Sequence, residues 1–184
     1  MITSGEWLNS TRAMGLAAYG TAATCCAITW IRTKARHGAS QLAAAFTFIE
    51  SALLLDMVFN LRWKLHQFLM DFAMQKHEYD LRRLPQVIVL TLLGGLLLFG
   101  LLAARRLFRD RVGARLAVSG ILLSVILWCV EVVSLHAVDH ILYYSIGHWM
   151  VVSALWILAC LMTSIGMLMV SAVAEKTPGL MARE

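Results

Sequence analysis

Charge is scarce in this sequence. Asp, Glu, Lys and Arg make up 15% of its 184 residues, against about 25% in an average soluble domain. A soluble domain of about 150 residues hides only roughly 70% of the surface its unfolded chain exposes. A chain that is 60% apolar, with mean hydropathy +0.72, therefore has to use lipid as part of its solvent. Proline is scarcer still, at two residues, which excludes collagen-like and proline-rich chains. The four cysteines (Cys25, Cys26, Cys129 and Cys160) form no CxxC pair and all lie in apolar runs, so neither a thiolate zinc site nor a disulfide scaffold is supported. There is no GxSxG nucleophile elbow and no glycine-rich phosphate fingerprint, which removes the common hydrolase and nucleotide-binding readings. No segment alternates in polarity as the strands of a membrane barrel would.

What is present is length in apolar runs. A bilayer core about 30 Å thick needs roughly 20 apolar residues per helix, and five runs qualify: 13–31, 41–60, 85–104, 116–138 and 145–174. The fold class expected is an all-α integral membrane protein, with five transmembrane helices in one bundle and a single polytopic domain over 1–184. The last two runs are separated by only a few residues, which predicts a tight helical hairpin. Gly94 and Gly95 in the third run, with Gly100 further on, are positioned to allow close helix approach.

The basic residues orient these spans. Arg32, Lys34 and Arg36 follow the first run, Arg105, Arg106, Arg109, Arg111 and Arg115 follow the third, and Lys176 and Arg183 lie in the tail. The opposite side carries Arg12, Arg62, Lys64, Lys76, Arg82 and Arg83. Cytoplasmic loops carry the excess of Lys and Arg, which places the N-terminus outside and the C-terminus in the cytoplasm, in a bacterial-type inner membrane. No basic residue precedes Arg12, so the first run is expected to be a retained helix rather than a cleaved signal peptide. The net charge of +5 then reads as topology and contact with anionic headgroups, and no basic face on a soluble module points to nucleic acid. Trp7, Trp30, Trp63 and Trp149 fall near span ends, as interfacial aromatics do.

The longest connection, 61–84, has a pattern of its own. Leu61, Leu65, Phe68, Leu69 and Phe72 share one helical stripe, while Arg62, Lys64, His66, Gln67 and Asp71 occupy the other arc. This predicts an amphipathic helix on the outer face, its stripe toward lipid or a partner subunit. Pro85 then opens the third span, where a missing N–H costs nothing.

Charged side chains at bilayer depth cost about 2.5–3.5 kcal/mol and are functional candidates by default. Glu50 falls near the middle of the second run, followed by Asp56 and Asn60; Glu131 lies in the fourth, followed by His136, Asp139 and His140; His148 begins the fifth. With the orientation above, Asp56, Asn60, Glu131, His136, His140, His148 and His66 converge on one outer layer. Asp56 and Asn60 are about 40° apart on a helix, as are His136 and His140. An HxxxH pair can point both imidazoles at one ion, with His148, His66 or Asp56 completing the set and Asp139 able to accept an imidazole N–H. Mixed carboxylate and imidazole ligands suit iron, zinc or copper(II), and haem or a quinone ranks behind a bare metal. Glu50, Glu131, Asn60 and Asp139 are then candidates for proton relay or for supporting the ligands. The blander reading is that the histidines are wetted interfacial residues, and that Glu50 and Glu131 make interhelical hydrogen bonds.

These features lead to an integral membrane subunit of a larger redox or metalloenzyme complex, its outer-leaflet His/carboxylate site binding a metal or completing a cofactor or quinone pocket. Its expected partners are the bilayer and other membrane subunits. One alternative is an accessory subunit without its own chemistry, and another is a small proton or ion transporter. Against the transporter stands the apolar character of the cytoplasmic half, where Ser119, Ser124, Thr163 and Ser164 offer only a thin relay.

Overall fold

A computed structural model describes residues 10–75, 83–133, 136–147 and 149–176. Its long elements are all helical: α1 (Ser10–Arg32), α2 (His37–Phe59), α3 (Leu61–Gln75), α4 (Arg83–Leu107), α5 (Val112–Val133) and α7 (Val151–Lys176). Between α5 and α7 lie a seven-residue helix α6 (His136–Leu142) and two short strands, β1 (Ser145–Ile146) and β2 (Trp149–Met150). Among the described residues, α1, α2, α4, α5 and α7 are long and apolar enough to cross a membrane.

The helices neighbour one another in the order α2–α1–α7–α5–α4. The tightest crossing, α5 on α7, is made by small residues. A Cβ on Gly120 would stand 2.5 Å from Thr163 Oγ1 and 2.6 Å from the Ala159 carbonyl, and one on Gly113 would stand 2.8 Å from the Gly166 carbonyl. Gly15 of α1 similarly makes room for Met57 and Trp156. Small residues let backbones approach where lipid provides no hydrophobic drive between helices. Gly94 and Gly95 do not serve this purpose: among the described residues, no atom of a neighbouring helix lies within 4 Å of where their Cβ would be. They lie on α4, of whose apolar window only 6% is buried, against 28–44% in the other four. Position in the fold, which glycine content alone does not report, decides which glycines are needed.

The fourth and fifth spans also differ from expectation. The fourth and fifth spans are described over Val112–Val133 and Val151–Ala174, and His136, Asp139 and His140 belong to α6; residues 134 and 135 lie outside the described residues. Twenty-two residues of α5 already cover about 33 Å at 1.5 Å per residue, enough for the hydrocarbon core, and the polar residues that follow are left beyond it. In place of a tight helical hairpin, β1 and β2 pair antiparallel with Ile146 opposite Trp149, and Gly147 adopts φ +66° in the turn, where glycine is favoured.

Candidate functional site

The site is built at the α2–α3 junction. Asn60 has φ 54° and ψ 43°, the left-handed conformation that ends helices and that asparagine tolerates better than most residues; its N–H donates to the Asp56 carbonyl. α3 therefore starts at once in a new direction and returns Arg62 to the end of α2. The Arg62 backbone N–H donates to Asp56 Oδ1 at 2.7 Å, and Nε donates to Oδ2 at 2.6 Å. Nη1 reaches α5 and donates to Glu131 Oε2 at 2.7 Å. The other Glu131 oxygen accepts from Trp156 Nε1 of α7 at 2.9 Å, and the guanidinium carbon lies 5.3 Å from the centre of the Trp156 ring. Four helices are thus tied by one guanidinium and two carboxylates, with the three side chains only 9%, 7% and 3% exposed.

Arg12 of α1 secures the same end of α2 by donating from Nη2 to the Met57 and Val58 carbonyls, two of the acceptors a helix C-terminus leaves without intrahelical partners. Burial is the largest influence on Arg62 and pushes its pKa down. The Glu131 and Asp56 carboxylates outweigh it and hold the guanidinium above its ordinary value. Buried ions persist only when paired and hydrogen-bonded, and this cluster meets that condition for both carboxylates. Two carboxylates nevertheless face one guanidinium, and among the described residues Arg62 Nη2 is buried without a partner.

A second polar centre lies deeper. Glu50 is fully buried on α2, nine residues or about 14 Å from that helix's Phe59 end. Its Oε2 is 4.0 Å from Cys160 Sγ, and Oε1 has no partner among the described residues. Thr163 borders Glu50 and Ser124 borders Cys160. The Thr163 hydroxyl lies 3.1 Å from the Ala159 carbonyl and is also within hydrogen-bonding reach of the Glu50 carboxyl, so it can donate to either. Tyr19 of α1 belongs to the same part of the core. It is fully buried, shares a core with Trp156 and Cys160, and lies within electrostatic reach of Arg62, Glu131 and Glu50. Its hydroxyl, like the Ser124 hydroxyl, is buried without a partner among the described residues.

The sequence candidates fall out as follows. Asp56 and Glu131 come together, through Arg62. Asn60 is exposed and shapes the turn. His66, half-buried on α3, lies 3.1 Å through Nδ1 from the Val132 carbonyl; a carbonyl only accepts, so Nδ1 carries the proton. His140 is exposed and Asp139 half-buried on α6. His148 and the side chain of His136 lie outside the described residues. Among the described residues, no three His, Cys, Asp or Glu side chains stand close enough to hold a metal.

Arg62, Trp156 and Tyr19 were not candidates from sequence. The available signals were a tryptophan and a tyrosine within spans, away from the interfacial positions such residues favour. No protein-family model, curated protein or solved structure matches the chain.

Proposed function

We propose that the chain is an integral membrane subunit of a larger redox complex, and that its own part in that complex is to handle protons. It would stand in the bilayer as a five-helix bundle with α3 on the outer face, the N-terminus outside and the C-terminus in the cytoplasm of a bacterial-type inner membrane. The basic residues of the α1–α2 and α4–α5 connections support that orientation. The exposure of Leu61, Trp63, Leu65 and Phe68 supports a lipid-facing α3.

The observation that carries the reading is Glu50: a carboxyl with no exposure, near mid-span, with one oxygen unpartnered among the described residues. A merely structural carboxyl would be expected to have its oxygens satisfied, as both oxygens of Asp56 and of Glu131 are. Asp56, Arg62 and Glu131 form a fixed electrostatic gate at one end, and the buried Tyr19 hydroxyl serves proton exchange at Glu50. On the other side of Glu50, Thr29, Thr33 and Ser171 are also buried, with the Thr29 and Thr33 hydroxyls donating to the Met167 and Thr29 carbonyls. The test is proton flux in liposomes containing the purified chain and an internal pH dye, under an imposed potential. Wild type conducts, and Glu50→Gln loses most of the flux while keeping its fold. Equal flux in the two, or wild type no faster than empty liposomes, would overturn the reading.

A metal at the outer face is the second reading, favoured by α6 placing His136 and His140 four residues apart on one helix. His148, His66 or Asp56 would complete the set, although Asp56 would first have to leave Arg62. It predicts stoichiometric iron, copper or zinc in the purified protein, lost in a His136→Ala/His140→Ala pair. An accessory subunit without chemistry predicts instead that both Glu50→Gln and Glu131→Gln affect assembly alone.

A further inference from the structure

The end of the molecule opposite Arg62 has a different character. The α4–α5 connection holds Arg105, Arg106, Arg109, Arg111 and Arg115 against a single acid, Asp110. Between the two helices, at this end, lies an open cavity of about 450 Å³ lined by Leu101, Arg105, Val112, Arg115, Leu116 and Ser119. Arg105 is exposed and Arg115 half-buried. The Ser119 hydroxyl is turned back onto the Arg115 carbonyl at 2.9 Å, which leaves the wall below the arginines apolar in character. Leu101 lies one helical turn, about 6 Å, deeper than Arg105, and Ser119 is one turn deeper than Arg115 on the facing helix.

We infer that this groove is a binding site for one anionic phospholipid, its phosphate between Arg105 and Arg115 and the start of an acyl chain along Leu101 and Leu116. The charge is complementary, since two guanidiniums with no acidic side chain among the lining residues suit a phosphodiester, which arginine can bind in a bidentate manner. The position is complementary too. Phosphates of a bilayer lie at the level where α4 ends and α5 begins, and basic pockets between transmembrane helices on this side take anionic headgroups. α4 leaves the groove open because, among the described residues, it packs chiefly on α5 and only 6% of its apolar window is buried. A soluble phosphate would use the arginines and leave the apolar wall idle, so the lipid is the occupant that accounts for both halves of the lining. This site does not depend on the role of Glu50.

The test uses the full chain, purified in a neutral detergent and stripped of lipid, with thermal unfolding followed as phosphatidylglycerol, phosphatidylcholine or inorganic phosphate is titrated in. Phosphatidylglycerol stabilises wild type, while phosphatidylcholine and phosphate at the same concentrations do not. Arg105→Gln/Arg115→Gln weakens the apparent affinity by about 30-fold, the loss of two basic contacts of the usual membrane-surface strength. Lys34→Gln/Arg36→Gln, which removes the same charge from the same end but outside the groove, leaves it unchanged. Leu101→Trp narrows the apolar wall without altering charge and also weakens binding, so the test survives if the arginine pair fails to fold. Equal loss in the Lys34/Arg36 control, equal stabilisation by inorganic phosphate, or undiminished binding in Leu101→Trp would each overturn the assignment.

Discussion

Replacing Arg62 by methionine removes the cation that two buried carboxylates share, and its cost can be worked from the contacts. Breaking a buried ion pair by deleting one partner typically costs about 3–5 kcal/mol, because the other charge is left uncompensated. Here two carboxylates lose the same cation, which argues for the upper end. Each keeps one hydrogen bond, which argues the other way: Asp56 Oδ1 still accepts from the backbone N–H of residue 62, and Glu131 Oε1 still accepts from Trp156 Nε1. The guanidinium–indole contact is worth a further ~0.5–2 kcal/mol and is lost as well. The expected loss is therefore about 4 kcal/mol. Reversible unfolding in denaturant-titrated mixed micelles, followed by tryptophan fluorescence, measures it. Adding Asp56→Asn and Glu131→Gln to Arg62→Met removes the stranded charges and keeps both acceptor oxygens, so the triple variant should recover to within about 1–2 kcal/mol of wild type. If Arg62→Met unfolds within about 1 kcal/mol of wild type, or the triple variant is no more stable than the single one, the cluster does not hold these helices together as argued.

Three further outcomes follow from local geometry. Asn60→Val forces a β-branched residue into the left-handed region and should cost about 1–2 kcal/mol by the same unfolding assay, whereas Asn60→Gly should be nearly neutral. Gly120→Leu cannot fit against Thr163 and Ala159 without separating α5 from α7, and should lower the midpoint of thermal unfolding far more than Gly94→Leu, which meets open space. Glu131→Gln should be better tolerated than Glu131→Leu in thermal unfolding, because the single amide oxygen can still accept from one of Arg62 and Trp156, while leucine leaves both donors buried and unpaired.

The five spans were legible because apolar runs of about 20 residues have few other uses. Their ends were less so. The run opening the fifth span at 145 hid the short strands β1 and β2, because Ile146, Trp149 and Met150 are as apolar as the helix that follows them. Within the site, Asp56 and Glu131 were legible as acids at bilayer depth, but their partner was not. Arg62 lies outside the second span, and periodicity places it only on the arc opposite the apolar stripe of α3. Only the left-handed turn at Asn60 returns it to Asp56. The amphipathic reading of α3 expects its apolar stripe to face lipid or a partner, and the fold leaves that stripe outward. Arg62 and His66 face the other helices, while Leu61, Leu65 and Phe68 are exposed. In a membrane the burial rule inverts wherever polar groups find partners inside, because lipid accepts the apolar stripe and cannot accept the polar one.

The central proposal is that the Glu50 carboxyl is a working proton site and that the buried Tyr19 hydroxyl serves its exchange. Infrared spectroscopy of the reconstituted protein tests it directly, by following the carboxyl C=O band that disappears in Glu50→Gln as the medium is changed from H2O to D2O. The account predicts that this band shifts promptly in wild type and more slowly in Tyr19→Phe. A Glu50 band that does not exchange, or that exchanges at the same rate without the Tyr19 hydroxyl, would contradict it.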